Sequence, residues 1–273
     1  MKKTFENWLV VSDVDGTLND KRRRLPQRNY DAIKKFTELG GNFTLASGRT
    51  AYSISRSYRT VPANQPVVFL NGAGIYDVCA GKLLWSNPIG PGGRQFIRDV
   101  MAKFKRLEVG IFCEDKIYIV RSGLFSRVMM YFDKSPHEYA DIGGIPEHGW
   151  LKVIFWGMPR KLKKLKAYAG EAGNHDAHFM FSSPLTYEML QSGTHKGTGA
   201  MKLAETLGID RSHVAGIGDY YNDWDMLKTV GLPACAGQAP QDMKDICEFV
   251  ACHCNKGCVA DLLEYIMKLR IEN

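Results

Sequence analysis

The chain reads as an α/β protein, a parallel sheet interrupted by an inserted α+β segment. Three observations predict this. Short apolar runs near both ends of the chain are each followed at once by small and polar residues, as when buried strands deliver a loop to a sheet's carboxyl edge. Amphipathic helical segments separate those runs. Between about 81 and 186 the texture changes to alternating stretches that suit antiparallel pairing.

The first strand is Trp8 to Ser12, and the polar loop after it carries Lys21-Arg22-Arg23-Arg24. Pro26 opens a helix with Ile33, Phe36 and Leu39 on one face, and Gly40-Gly41 ends it. Asn42 to Ala46 is a second strand, with Ser47-Gly48-Arg49 just past it. Pro66 to Leu70 is a third strand of the same parallel sheet, followed by Asn71-Gly72. In the central stretch, Glu108 to Cys113 and Lys116 to Arg121 alternate around Glu114-Asp115, a hairpin signal. Leu151 to Trp156 is a further strand, and Pro159 to Ala169 is a basic helix. The parallel texture then returns. Gly197 to Leu207 is a helix, His213 to Ile217 a strand followed by Gly218-Asp219, and Val259 to Arg270 an amphipathic closing helix. The expected division is a core of 1–80 plus 187–273 and an inserted domain of 81–186.

With 273 residues the chain can bury a sizeable core. Its 45% apolar and 24% charged residues are ordinary for a globular protein. The formal charge of +7 suits anionic partners and also simply aids solubility. Met1-Lys2-Lys3 starts like a secretion signal, but the apolar run from Trp8 to Val11 is too short and acids follow it. No run approaches membrane-spanning length, so a cytoplasmic protein is expected. Seven cysteines, an odd and scattered set, point to reduced thiols. Cys252, His253, Cys254 and Cys258 are residue types that hold zinc, but no second spaced pair completes a site, and packed thiols are the expectation.

Four pieces fall at strand ends or helix starts. Asp13 and Asp15 flank Val14 directly after the first strand. Alternation would point both carboxylates one way, where they could hold a cation, attack phosphorus and move protons. A solvated turn is the plainer reading. Ser47 and Gly48 offer a hydroxyl and accessible N–H groups to a phosphate oxygen, or simply a helix cap. Lys196, in a glycine-rich helix start, gains nothing from that end of the dipole and makes better sense beside an anion. A solvated lysine on a mobile loop is the alternative, and His195 reads as a bystander. Asp219, Asn222 and Asp223 cluster after a strand, as a magnesium ion favours or as an acidic first helical turn would show.

The order DVDGTL, ASGR, a lysine before a glycine-rich helix start, and GDYYNDWDML resembles the haloacid dehalogenase-like hydrolases. The gap of about 150 residues between Ser47 and Lys196 is similar to the Cof-type branch, which inserts a large α+β cap there. Tyr187-Glu188-Met189 and Gly257 to Ala260 also resemble that branch. The resemblance implies a Rossmann-like core with an inserted cap domain. It implies Asp13 as the nucleophile that forms an aspartyl-phosphate. It makes Asp15 the general acid and base, and also a Mg2+ ligand through its backbone carbonyl. Asp13, Asp219 and Asp223 complete the metal site. Ser47, Gly48, Lys196 and Asn222 hold the phosphoryl group, and Thr17 bonds near the nucleophile. Asp at position 15, where the family's P-type ATPases carry Thr, favours phosphatases or phosphomutases.

The leading expectation is therefore a Mg2+-dependent phosphatase of small phosphorylated metabolites, sugar phosphates among them, with specificity set by the cap. Arg49 and residues 21–24 could approach the substrate, although a charge run is usually solvated. A sugar phosphomutase on the same scaffold is the enzymatic alternative. A nucleic-acid binder using Arg22 to Arg24 and Lys161 to Lys166 lacks aromatic–basic interleaving, and nucleic acid is not an expected partner.

Overall fold

The computed structural model describes residues 5–173 and 176–269. The chain forms two compact units. One comprises the two ends of the chain, up to Leu84 and from His195 on, and the other runs from Trp85 to Thr194.

The first limb carries β1 (Leu9–Ser12), α1 (Gln27–Glu38), β2 (Asn42–Leu45), α2 (Ala51–Tyr58), β3 (Val67–Phe69), β4 (Gly74–Asp77) and β5 (Lys82–Ser86). The insertion then contributes α3 (Pro91–Lys103), β6 (Glu108–Cys113), β7 (Ile117–Arg121), α4 (Leu124–Asp133), β8 (His137–Tyr139), β9 (Trp150–Trp156), α5 (Pro159–Glu171), β10 (Ala177–Ser183) and β11 (Thr186–Gln191). The second limb supplies α6 (Lys196–Leu207), β12 (Val214–Gly218), α7 (Trp224–Thr229), β13 (Leu232–Cys235), α8 (Gln241–Asp245), β14 (Phe249–Val250) and α9 (Cys258–Leu269).

The two limbs share one parallel sheet in the order β14-β13-β12-β1-β2. Every residue of β1 is buried, as a central strand covered on both faces requires. Ser12 is level with Leu45 on one side and Ile217 on the other. The next residues, Asp13, Ala46 and Gly218, therefore stand side by side at the sheet's carboxyl edge. Helix α1 packs against α9, and α6 against α7.

The third expected strand departs from expectation. β3 does not join the parallel ladder. Its link to β2 is one bridge, Ala46 to Val68, and it pairs antiparallel with β4 in a separate sheet of order β3-β4-β5. The cause is local. Leu70, Asn71 and Gly72 all adopt positive φ, and that tight turn folds the chain straight back on itself.

The inserted unit is a six-stranded sheet in the order β10-β11-β9-β6-β7-β8, antiparallel except where β8 joins β7. Phe96, Ile97 and Val100 of α3 and Leu162 and Leu165 of α5 bury one core with Val109, Ile111, Val153, Phe155 and Met189 of the strands. Lys152 on β9 and Glu188 on β11 form a buried ion pair at 3.2 Å.

Candidate active site

Residues 13–19 form a compact loop rather than an open turn. The Leu18 and Asn19 N–H groups donate back to the Asp13 and Val14 carbonyls at 3.2 and 3.0 Å. Gly16 makes this possible, with φ at +87°. A Cβ there would also stand 2.4 Å from Asp219 Oδ2. Glycine thus lets this backbone lie directly against a carboxylate.

Lys196 is the first residue of α6 and is fully buried. Its ammonium donates to Asp13 Oδ1 at 2.5 Å and to Asp223 Oδ1 at 2.6 Å. A buried ammonium is tolerated only when paired, and here it has two carboxylates. Burial by itself would lower the amine's pKa, but Asp13 and Asp223 outweigh it and the net shift is upward. The helix start is placed by close backbone contact. A Cβ on Gly72, at φ +94°, would lie 1.9 Å from the His195 carbonyl oxygen.

Asp223 is completely buried. Its second oxygen accepts the Asp219 N–H at 3.1 Å and the Tyr220 N–H at 3.4 Å, which folds the loop after β12. Asp219 is half-buried, with Thr17 Oγ1 donating to Oδ1 at 3.5 Å. Ligand oxygens of Asp13, Asp219 and Asp223 all lie within 4.8 Å of one another, the one such acidic, histidine or cysteine group among the described residues.

Burial pushes Asp13 up to about 7; Lys196 opposes the shift, and Asp223 and Asp219 add to it. Burial and then Asp223 push Asp219 up to about 6. Three carboxylates around one ammonium are short of positive charge. Hard oxygen donors, a charge deficit and a loop backbone pressed against Asp219 together fit a divalent cation such as Mg2+.

The other expected residues divide. Ser47 is buried after β2, its N–H donating to the Val68 carbonyl and its own carbonyl accepting the Asn71 N–H. Gly48 lies against the Asn71 amide, where a Cβ would meet Oδ1 at 2.8 Å. The Asn71 side chain thus backs the Ser47–Gly48 loop, a part that the sequence reading left unassigned although Asn71-Gly72 stands at a strand end. Asp15 is exposed and paired with Arg49, whose Nη2 and Nε donate at 2.5 and 3.0 Å. This pairing was legible in principle, because Asp15 and Arg49 follow adjacent parallel strands. Asn222 is exposed on the turn Tyr221–Asp223, outside the buried cluster. The basic run is organised by Asp20, whose carboxylate accepts the Arg22 and Arg24 N–H groups and pairs with the exposed Arg24 guanidinium.

All seven cysteines are free thiols. Cys252, Cys254 and Cys258 make separate contacts. Cys258 donates to the Thr17 carbonyl at 3.1 Å, Cys254 lies 3.6 Å from His253 Nδ1, and Cys252 lies 4.0 Å from Arg28.

Residues 10–263 match the family model described as haloacid dehalogenase-like hydrolase. A protein of Enterobacter sp. (strain 638) named HMP-PP phosphatase is 24% identical, the match covering 94% of each chain. Among solved structures, a haloacid dehalogenase-like hydrolase from Bacteroides thetaiotaomicron superposes with a TM-score of 0.81 at 22% identity, covering 96% of this chain and 100% of that one. A sugar phosphatase of subclass IIB superposes with a TM-score of 0.77 at 15% identity, covering 95% and 99%. These likenesses extend over both units, so the whole fold is shared.

Proposed function

This chain belongs to the haloacid dehalogenase-like hydrolases, and we propose that it is a Mg2+-dependent phosphatase of small phosphorylated metabolites acting through an aspartyl-phosphate on Asp13. The observation that carries this reading is the buried Lys196 ammonium set between Asp13 and Asp223, with Asp219 alongside. Phosphoryl transfer needs positioning and charge neutralisation more than covalent machinery.

Asp13, Asp219 and Asp223, with the Asp15 backbone carbonyl, would hold the ion. Bound Mg2+ would offset the repulsion between carboxylate and phosphate and keep Asp13 ionised. An Asp13 carboxylate oxygen attacks phosphorus, and the bond to the ester oxygen breaks. Asp15 gives that oxygen its proton. Asp15 then takes a proton from water, whose oxygen attacks phosphorus and frees Asp13 and inorganic phosphate. Ser47, the Gly48 N–H, Lys196 and Asn222 receive the phosphoryl oxygens. Arg49 holds Asp15 before substrate arrives. This partly exposed pair is weak, and an incoming phosphate competes for the guanidinium and frees the carboxyl.

Substrate choice is assigned to the inserted unit, Trp85–Thr194. The names of two similar proteins, an HMP-PP phosphatase and a sugar phosphatase, support small phosphorylated compounds as the substrate class. The test is a panel of such metabolites read out as free phosphate, with Mg2+ and with a chelator. Release of phosphate from at least one member, lost on chelation, is expected. Mg2+-independent release, or none from any member, would contradict the reading.

A further inference from the structure

We propose that Gln238 is a positioning residue for the metal site, fixing Asp219 and the loop of Asp13 and Asp15 relative to each other. The inference rests on the reading that Asp219 holds the ion. Gln238 follows β13 on a turn anchored to the same sheet edge, because the Ala236 N–H donates to the Gly218 carbonyl at 3.0 Å. The Gly237 N–H donates to the Cys252 carbonyl at 2.9 Å, tying the turn to the cysteine segment.

The carboxamide itself bridges three pieces of chain. Its Nε2 donates to the Gly16 carbonyl at 2.6 Å and lies 3.5 Å from Asp219 Oδ2. Its Oε1 accepts the Cys254 N–H at 3.0 Å. Only one orientation of the amide satisfies this set, since the backbone N–H must face the oxygen and the backbone carbonyl must face the nitrogen. Cys254 therefore sets the amide, and the amide sets Gly16 and Asp219. The two carbonyls that follow Gly16 are held from the same region. Cys258 Sγ donates to the Thr17 carbonyl at 3.1 Å. Asn29 Nδ2 donates to the Leu18 carbonyl at 2.8 Å, and its oxygen accepts the Ala260 N–H at 2.9 Å. Three consecutive carbonyls of the loop are thus taken by side chains whose own placement depends on residues 252–260. The cysteine segment in this way acquires a part in the site as a frame for the loop.

Outer-sphere partners that orient metal ligands typically contribute about 10- to 100-fold in metal affinity. The experiment measures Mn2+ binding to the full chain by electron paramagnetic resonance of the free ion. It compares the parent protein with Gln238→Met and Asp219→Ala, alongside melting temperatures in chelator. Asp219→Ala is expected to lose Mn2+ binding. Gln238→Met is expected to weaken it about tenfold or more, with the metal-free melting temperature within a few degrees of the parent. The rate of p-nitrophenyl phosphate hydrolysis should return to within a few-fold of the parent at saturating Mg2+, a split that general loosening of the fold would not give. Parent-like Mn2+ affinity in Gln238→Met, with binding lost in Asp219→Ala, overturns the role of Gln238 and leaves the metal reading standing. Parent-like affinity in Asp219→Ala overturns both. Should Gln238→Met unfold the protein, Gln238→Asn, one methylene short of Gly16, is read by the same criteria.

Discussion

The proposed nucleophile, Asp13, sits in a place that opposes its ionisation. It is buried, with Asp223 and Asp219 nearby, and its pKa is pushed up to about 7. Asp219 follows at about 6. Both values lie above the ordinary 3.8, so between about pH 4 and 7 the folded protein keeps protons that the unfolded chain has shed. Stability without metal therefore falls as pH rises through that window. A cation that binds the ionised acids must displace those protons, and it competes best where they have already left. Saturating Mg2+ should accordingly raise the melting temperature more at pH 7.5 than at pH 5. An equal or larger rise at pH 5 would contradict the assignment of these carboxylates to the ion. At this scale the sequence was most informative about residues that carry charge just after a strand or at a helix start, namely Asp13, Lys196, Asp219 and Asp223. Gln238 escaped notice because glutamine has no chemistry of its own and meets a backbone carbonyl 222 positions away. The pairing of Asp15 with Arg49 joins two motifs that had been read separately.

The elements work by bringing short loops to one edge of the sheet. β1 ends level with β2 and β12, so three loops start side by side. The loop after β1 depends on Gly16, whose left-handed backbone is pressed against Asp219. Gly16→Ala should cost roughly 1–2 kcal/mol in backbone strain and also push Asp219 from its place. A drop in Mg2+ affinity beyond any change in melting temperature is the expected signature, and unchanged affinity would argue against it. In the inserted unit, Lys152 and Glu188 test a different principle. Lys152→Met alone takes the paired ammonium away from a buried carboxylate and should destabilise by about 3–5 kcal/mol. Adding Glu188→Leu should restore most of the loss, as denaturant unfolding of the two variants would show. The central parallel strands were legible because a fully buried strand is a continuous apolar run. β3 was legible as a strand but not as a member of another sheet. Its apolar run resembles the others, and the positive φ of Leu70, Asn71 and Gly72 that turns it back is a property of three residues only. Strands β10 and β11 left a weaker mark, since half-exposed residues blur the alternation of β10.

For the molecule as a whole, the motifs lie at positions 13–17, 47–49, 196 and 219–223, and only the fold unites them. Both limbs of the chain contribute strands to one sheet, and the insertion between them forms its own core. None of the described helices is long and apolar enough to cross a membrane. The formal charge of +7 accords with an anionic substrate and should speed its arrival at low ionic strength. Family membership, the acidic cluster and the buried lysine support one proposed covalent event, an aspartyl-phosphate on Asp13. Its most direct test uses a turned-over substrate carrying labelled phosphate, with the reaction stopped in acid and the digested peptides sequenced. The label should reside on the peptide containing Asp13, at that residue, and be missing from Asp13→Asn, which should also have lost phosphate release while melting as the parent does. Full turnover with no label on the protein, or continued turnover in Asp13→Asn, would contradict the account.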